Sequence, residues 1–224
     1  PSASRPAYDA LIQAMGGVMS ITGDPEGEPM KIGVSIADLM AGMYAAVSIL
    51  AAVRHQAQTG QGQHCDVSML DAHVAWLANQ GMNYLATGEN PPRLGNHHPN
   101  IVPYQVMPST DGHFVLSVGN DPTFARFCET AGCEQLLRDA RFATAVERVK
   151  NRDVVTETLN GITAQHPSAW WLEKLEANNV GCSAINELDQ VFADPQVQSR
   201  EMVIEMEHPA TPGRPARLIA SPIK

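Results

Sequence analysis

The chain has 224 residues, with 15 lysines and arginines against 24 aspartates and glutamates, so its formal net charge at pH 7 is −9. This acidic balance argues against duplex DNA or an anionic membrane surface as a partner, because both require a basic patch on the protein. Hydrophobic residues make up 44% of the chain and charged residues only 17%, a balance that excludes disorder as the main state and predicts a substantial core.

The first predicted elements are short. A helix is expected from about Asp9, and it stops at the glycine pair 16–17. The apolar residues that follow this pair favour a strand, and residues 24–29 form an acidic loop rich in glycine and proline.

The segment from Ile32 to Val53 is almost entirely apolar, and Asp38 is its one charged residue. Because Asp38 interrupts the run, we interpret the segment as a buried helix of a soluble α/β domain rather than as a membrane span. Gly60 is a typical stop for this helix. Asp38 falls at or near the first turn, where backbone N–H groups and the positive end of the helix dipole stabilise a carboxylate.

Asp38 has two interpretations. A helix cap is the commoner role of an aspartate in this position. However, Gly42, Ala41 and Ala45 leave the neighbouring backbone without bulky side chains, so a large ligand could approach the carboxylate closely. A carboxylate in such a place is a candidate nucleophile or general base.

The remaining pattern predicts a helical connection and then a mixed unit. Residues 61–69 alternate like a strand, and Asp71 caps a helix that ends at Gly88. Residues 89–93 break regular structure and mark a domain boundary. The later predicted elements are strands at 101–108 and 113–120 with a turn at 110–112, helices at 121–132, 153–163, 168–177 and 186–192, a strand at 180–185, a helix from Asp194 and an extended segment from Met202.

The cysteines and histidines do not predict a metal site. The four cysteines are too few and too scattered for a disulfide scaffold or a zinc site. The adjacent pair His97 and His98 also lacks ligand spacing, since neighbouring residues of an extended loop point apart. We therefore expect reduced thiols, no metal and a cytoplasmic location.

Three segments of the chain resemble one protein family. They read RPAYDALIQAMGG, ADLMAGMYAAVSILAAVRHQAQTGQGQHCDVSMLDA and RLGNHHPNIVPYQVMPSTDGHFVLSVGNDPTFARFC. They resemble the class III CoA-transferases, the family of formyl-CoA transferase and α-methylacyl-CoA racemase, and the resemblance extends over nearly the whole chain. It implies an α/β fold in which part of a Rossmann-like large domain precedes a small α+β domain, in a family of interlocked dimers.

The resemblance also implies a division of the chain into four segments. Residues 1–70 would be the latter part of the large domain and carry the nucleophile, and residues 71–93 would be a linker helix and loop. Residues 94–200 would form the small domain, and residues 201–224 would return towards the large domain as an extended linker. Family members are longer at both ends, so we expect a chain cut at Pro1 that binds CoA poorly by itself.

The resemblance assigns the nucleophile to Asp38. In the family an aspartate opens the helix before a Thr-Gly-x-Gly-Gln signature, which here is residues 59–63. The implied activity is transfer of CoA from an acyl-CoA to a free carboxylic acid, such as a dicarboxylate, through an aspartyl-acyl anhydride and an aspartyl-CoA thioester. CoA and acyl-CoA are substrates in this reaction, and no permanently bound cofactor is implied.

The family's glycine-rich loop falls on residues 94–99, at the start of the small domain. This loop would exclude water from the anhydride, and its backbone N–H groups would support the oxyanions of the reaction. Some relatives carry a run of glycines in this loop. Here it contains Gly95, Asn96, His97 and His98, so we expect it to be stiffer and more polar than a run of glycines. Either histidine could pair with the carboxylate of the acid substrate, and a solvated loop histidine is the alternative.

Three further residues receive binding roles from the resemblance. Tyr8 and Asp9 would lie near the acyl group, and Met69 would lie near the thiol end of CoA. A core tyrosine at position 8 and a core methionine at position 69 are the alternatives.

Tyr8 also separates transfer from racemisation. The racemase branch has a histidine in a Gly-His-Asp string as its second acid or base, whereas the string here is Ala7-Tyr8-Asp9. Tyrosine, with a pKa of about 10, carries protons poorly at neutral pH. Tyr8 therefore favours a CoA-transferase, which the resemblance implies to be a homodimer, with an acyl-CoA racemase or epimerase and a non-catalytic interaction module as alternatives.

Overall fold

A computed structural model describes residues 5–224, so Pro1, where we expected a cut, lies outside the described residues. The chain forms two compact units, Pro1–Asn100 and Ile101–Lys224. The described part of the first unit is built from helices: α1 Asp9–Met15, α2 Val18–Ile21, α3 Ile36–Thr59, α4 Met69–Ala75 and α5 Ala78–Thr87. The four segment limits given by the family resemblance stay predictions.

Two strands predicted for the first unit are absent from its described residues. The apolar piece after Gly17 is helix α2, and residues 61–68 join no sheet. A strand needs a neighbour for its N–H and C=O groups, and residues 5–100 offer none. A turn of helix pairs these groups locally, which favours α2.

The helix predicted between Asp71 and Gly88 is divided into α4 and α5. Helix α4 is capped by Ser68 rather than by Asp71, since the Ser68 Oγ accepts a hydrogen bond from the Asp71 N–H at 3.3 Å. The predicted stop at Gly60 is confirmed: this residue follows α3 with φ of 76°, a left-handed conformation that glycine adopts without strain.

Helix α3 is exposed, so the prediction of a buried helix is wrong for this chain. Only Ala37 of its 24 residues is buried, and Leu50 is 70% exposed. Apolar composition predicts that a helix will be covered, but the cover has to come from other elements, and among the described residues the main contacts of α3 are with α1 and α4. By length and composition, α3 is the one described helix that could cross a membrane, a test that core helices of soluble proteins also pass.

The second unit combines helices with two antiparallel sheets. Its strands are β1 Tyr104–Ser109, β2 Gly112–Ser117, β3 Gly181–Ala184, β4 Val203–Met206 and β5 Ala216–Ile219. Its helices are α6 Asp121–Ala131, a 3₁₀ helix Glu134–Arg138, α7 Ala145–Lys150, α8 Arg152–Thr163, α9 Ser168–Ala177, α10 Leu188–Ala193 and α11 Pro195–Ser199.

The larger sheet has the order β1-β2-β3, and the β1–β2 hairpin pairs Val106 with Val115. Alternate residues of both hairpin strands are buried, among them Met107 and Phe114. Helices α6, α8 and α9 add aromatic and aliphatic side chains to the same core, including the fully buried Trp171. The predicted hairpin is confirmed, and strands β4 and β5 form a second, separate hairpin in the extended C-terminal segment.

Arg148 is a buried cation in this core. Its guanidinium donates hydrogen bonds to the carbonyl oxygens of Val102 at 3.0 Å and Phe142 at 2.9 Å, and to the Asp121 carboxylate at 2.9 Å. It also lies over the Phe124 ring, 4.3 Å from the centroid. These contacts compensate the loss of water around the charge.

Candidate active site

Asp38 lies in the first turn of α3, as predicted. The residue is exposed, and within residues 5–224 its carboxylate has no hydrogen-bond or ion-pair partner. The space beside Gly42, one turn further along α3, is open, since a methyl group added there would meet nothing within 4 Å. The carboxylate is therefore accessible on an unobstructed part of the helix.

The cap of α3 is supplied by Asp9 of helix α1. Ser35 occupies the N-cap position, but its side chain makes no capping hydrogen bond. Instead, the Asp9 Oδ1 accepts a hydrogen bond from the backbone N–H of Ala37 at 2.9 Å. A different carboxylate thus caps this helix, and the capping interpretation of Asp38 is wrong.

Gln13 holds Asp9 in this position. Its side-chain Nε2 donates to the Asp9 Oδ2 at 2.8 Å, and its Oε1 accepts from the backbone N–H of Ile32 at 2.9 Å. Gln13 is fully buried, and Asp9 is half-buried. Two hydrogen bonds therefore fasten α1 to the segment that enters α3 and to the first turn of α3 itself, and the third, within α1, orients Asp9.

Tyr8 immediately precedes α1 and stands next to this network in the chain. Its backbone carbonyl accepts from the N–H of Ile12 at 3.0 Å, while its side chain is 70% exposed. A core tyrosine is therefore the wrong interpretation of Tyr8 within the described residues. Because Asp9 touches Ala37, the Tyr8-Asp9 pair lies beside the turn that carries Asp38.

The predicted loop at residues 94–99 is tied to the acidic loop that precedes α3. The backbone N–H of Gly95 donates to the Gly23 carbonyl at 3.0 Å, and Gly95 has a φ of 56°. The Arg93 guanidinium donates to the carbonyls of Asp24 at 3.0 Å and Gly27 at 2.6 Å. These contacts place the loop against residues 23–27.

The histidines of this loop lie at a turn. The backbone N–H of His97 donates to the Leu94 carbonyl at 3.0 Å, and the Nδ1 of His98 accepts from the N–H of Asn100 at 3.1 Å. Asn96 is exposed beside them. The structure thus groups the four predicted loop residues with one another and groups Tyr8 and Asp9 with the turn of Asp38.

Met69 is the half-buried first residue of α4. A nearby groove of about 280 Å³ between α3 and α4 is lined by Tyr44, Ser48, Asp66 and Asp71, among others. Its two carboxylates disfavour the phosphate groups of a nucleotide. Within residues 5–224, no three His, Cys, Asp or Glu side chains cluster as a metal site would require.

Sequence reasoning missed Gln13 and the capping role of Asp9. Asp9 and Gln13 are four residues apart, the spacing at which side chains on one face of a helix meet, and this pair was a visible signal. The partners in α3 and in the segment before it were not, because Ala37 lies 28 residues from Asp9 and Ile32 lies 19 residues from Gln13.

Comparison with known proteins gives consistent matches across the chain. The model of one family, CoA-transferase family III, matches residues 1–224. The succinate–glutarate CoA-transferase of Agrobacterium fabrum is 44% identical over 207 residues, which are 92% of this chain and 52% of that protein. The acetyl-CoA:oxalate CoA-transferase of Acetobacter aceti is 35% identical over 219 residues, 97% of this chain and 56% of that protein. The chain thus spans about half the length of the curated relatives it matches.

Solved structures also match nearly the whole of this chain over part of their own length. A CAIB/BAIF family protein from Brucella suis has a TM-score of 0.78 and 44% identity, over 92% of this chain and 55% of that chain. The Rv3272 protein of M. tuberculosis has a TM-score of 0.86 and 26% identity, over 100% of this chain and 59% of that chain. The predicted fold class, a mixed architecture of the class III type, is confirmed.

Proposed function

The chain belongs to CoA-transferase family III, and we propose that the protein transfers CoA from an acyl-CoA thioester to a free carboxylic acid with Asp38 as the nucleophile. The observation that carries this proposal is that the Asp38 carboxylate is accessible and unpaired among the described residues. It is exposed at the start of α3 and has no partner among the described residues, while Asp9 performs the capping that would otherwise explain it.

Dicarboxylates are the proposed class of acyl donor and acceptor. The names of three relatives support this: they act on succinate and glutarate, on oxalate, and on mesaconate, the last in Haloarcula hispanica at 34% identity. Each of these acids carries a second carboxylate beside the one that exchanges CoA. The side chain of His97 or His98 could donate a hydrogen bond to that second carboxylate.

The proposed reaction proceeds through four attacks on carbonyl carbons. An Asp38 oxygen attacks the thioester, the C–S bond breaks, and CoA leaves as a thiolate from a mixed aspartyl-acyl anhydride. The thiolate attacks the aspartyl carbonyl, releases the donor acid and forms an aspartyl-CoA thioester. The acceptor carboxylate attacks this thioester, the C–S bond breaks, and CoA leaves again as a thiolate from a second anhydride. The thiolate then attacks the acyl carbonyl of this anhydride, which releases the new acyl-CoA and regenerates the Asp38 carboxylate.

The proposed intermediates conserve the activation of the thioester, provided that water is excluded. Water would hydrolyse either anhydride, so a cover over Asp38 is needed during turnover. We assign this cover to the loop that contains Gly95 and Asn96, whose backbone N–H groups could donate to the oxyanion of each tetrahedral intermediate. Tyr8 would contact the acyl group, and Met69 would lie near the thiol of CoA.

The proposed cellular setting follows from the same family. CoA and acyl-CoA act as substrates, with no permanently bound cofactor or metal, and the protein acts as a homodimer in the cytoplasm. The exposed apolar side chains of α3 support association with further protein. The four cysteines, all free thiols, support a reducing compartment.

The first prediction concerns Asp38 itself. Protein from the full reading frame is incubated with succinyl-CoA and treated with hydroxylamine, which attacks the activated aspartyl carbonyl. Mass spectrometry of peptides should then find a hydroxamate at Asp38, and Asp38→Asn should lose both the hydroxamate and CoA transfer.

The outcome against the nucleophile would be continued turnover while Asp38 stays unmodified. Uptake of deuterium at the α-carbon of a branched acyl-CoA, without any acceptor acid, would favour a racemase that uses Asp38 as a base. Asp153→Asn is a matched control, since Asp153 is an exposed aspartate in the first turn of α8, in the second unit and outside the proposed site.

A further inference from the structure

Helix α3 begins without a capping side chain of its own. Ser35 stands at the N-cap position with its hydroxyl unused for capping, so the first N–H groups of the helix need an acceptor from elsewhere. For Ala37 this acceptor is the Asp9 carboxylate, at 2.9 Å. A bond between residues so far apart in sequence fixes where the helix begins in space, which a local cap would not do.

Gln13 orients the Asp9 carboxylate that accepts the hydrogen bond from Ala37. Its buried amide donates to the second Asp9 oxygen and accepts from the Ile32 N–H, so each of the two polar ends of the side chain has a partner. Because Asp9 receives one hydrogen bond on each oxygen, its carboxylate is held from both sides. A fully buried amide satisfied in this way has one favoured orientation.

We propose that Asp9 is a positioning residue for the reaction: its carboxylate, oriented by Gln13, holds the first turn of α3 so that Asp38 keeps the geometry required for attack on the thioester. This inference rests on the proposed function of Asp38. Ala37 directly precedes Asp38, so the Ala37 N–H and the nucleophile cannot move independently. The same contact performs the capping and leaves the Asp38 carboxylate available for reaction.

This assignment replaces the substrate contact that the family resemblance implied for Asp9. A substrate would have to compete with the Ala37 N–H and the Gln13 amide for the carboxylate oxygens. Tyr8, whose side chain is exposed, keeps its proposed contact with the acyl group.

The hydrogen bonds of Asp9 and Gln13 permit a test in which the acid at position 9 and the amide at position 13 are exchanged. In Asp9→Asn the carbonyl oxygen can still accept from Ala37, but the new NH₂ group faces the NH₂ of Gln13. In Gln13→Glu two carboxylates face each other. The double variant D9N/Q13E restores all three hydrogen bonds, because the amide introduced at position 9 donates to one oxygen of the carboxylate introduced at position 13, and the other oxygen of that carboxylate accepts from Ile32. Only the position of the negative charge is then changed.

We expect each single substitution to lower kcat roughly 10- to 100-fold, since small displacements of a reacting group have effects of this size. The KM for acyl-CoA should change less than about 3-fold, because Asp9 touches no substrate. Labelling of Asp38 by hydroxylamine should slow in parallel with kcat, and the double variant should recover kcat to within about 5-fold of the parent. The assays use protein from the full reading frame, with thermal melting as a check on folding.

A matched control is Asp194→Asn, which alters a capping aspartate of the second unit. Asp194 accepts from the N–H groups of Gln196 and Val197, and its substitution should leave kcat unchanged. A folded double variant as slow as Asp9→Asn would overturn the proposal, because it would show that the carboxylate at position 9 is itself required. An unchanged kcat in Asp9→Asn would also overturn it.

The double variant keeps the test decisive if the single variants fail to fold. A folded and active double variant supports the positioning role, and a folded but inactive one contradicts it. Failure of the proposed function has a different signature: the parent protein turns over with Asp38 unmodified, whatever the three variants do.

Discussion

At the scale of single residues, two carboxylates near the start of α3 have different environments. The oxygens of Asp9 are both engaged by the protein, whereas those of Asp38 have no partner in the described chain. An engaged carboxylate is suited to hold structure, and an accessible one is suited to react. These contacts support the division of roles that we propose for Asp9 and Asp38.

Arg148 allows a prediction about stability at the same scale. Arg148→Met should lower the free energy of unfolding by about 3 kcal/mol or more, because it leaves the buried carbonyl oxygens of Val102 and Phe142 and the Asp121 carboxylate without their donor. Denaturation in urea measures the loss.

The control is Arg141→Met. Arg141 pairs with Asp139 at 2.6 Å, but half of its side chain is exposed, and solvent-exposed pairs of this kind contribute little to the free energy of unfolding. Equal losses for the two substitutions would contradict the structural role assigned to Arg148.

The candidate site could be predicted only in part at this scale. The first-turn position of Asp38 follows from local pattern, namely an apolar run with one carboxylate near its start. The capping by Asp9 could not be predicted, because a hydrogen bond across 28 residues depends on how α1 folds back onto α3. The hydrogen bond from the Ile32 N–H to Gln13 could not be predicted for the same reason.

At the scale of elements, the exposed helix α3 is the main departure from expectation. Its composition resembles that of a core helix, yet Leu39, Met43, Val47 and Leu50 are all more than half exposed. These residues recur at intervals of three and four, so they form a stripe along one face. A contiguous apolar stripe of this kind favours association.

The 224-residue chain by itself should therefore self-associate through α3. Replacing Met43 and Leu50, which are 61% and 70% exposed, with glutamate should lower its average mass in analytical ultracentrifugation. Val146→Glu, at a position of α7 that is 63% exposed, is the control and should have no such effect. A chain that is already monomeric without substitution would contradict this expectation.

The two strands wrongly predicted in the first unit fail for the same physical reason. The pieces at 18–21 and 61–68 carry strand-like patterns, but the described residues of the first unit offer no strand to pair with. In the second unit, the hairpin of β1 and β2 was predictable because its partner strands are joined by a two-residue turn. Strand prediction thus succeeded in the unit where partner strands exist, including β3, which was predicted at 180–185 and pairs with the distant β2.

At the scale of the whole molecule, the chain spans about half the length of the relatives that it matches. The match to the succinate–glutarate CoA-transferase covers 92% of this chain but 52% of that protein. A reaction that encloses CoA and a second acid needs a large, water-excluding site. The part of that relative that this chain matches would supply only part of such a site.

We therefore expect the 224-residue chain to show no CoA transfer between succinyl-CoA and glutarate, and protein from the full reading frame to be active. Chromatographic separation of the CoA thioesters measures the transfer in both, with equal molar amounts of folded protein. The Asp38→Asn form of the longer protein is the negative control. Transfer by the short chain at a comparable rate would show that the described residues suffice.

The sequence by itself determined the family, the fold class, the hairpin and the first-turn position of Asp38, because these depend on patterns within short segments of chain. Only the tertiary structure decided which carboxylate caps α3, how Gln13 is engaged and whether α3 is covered. Hydrogen bonds between distant residues and the burial of a helix depend on which elements meet in space, and that is a property of the assembled molecule rather than of local sequence.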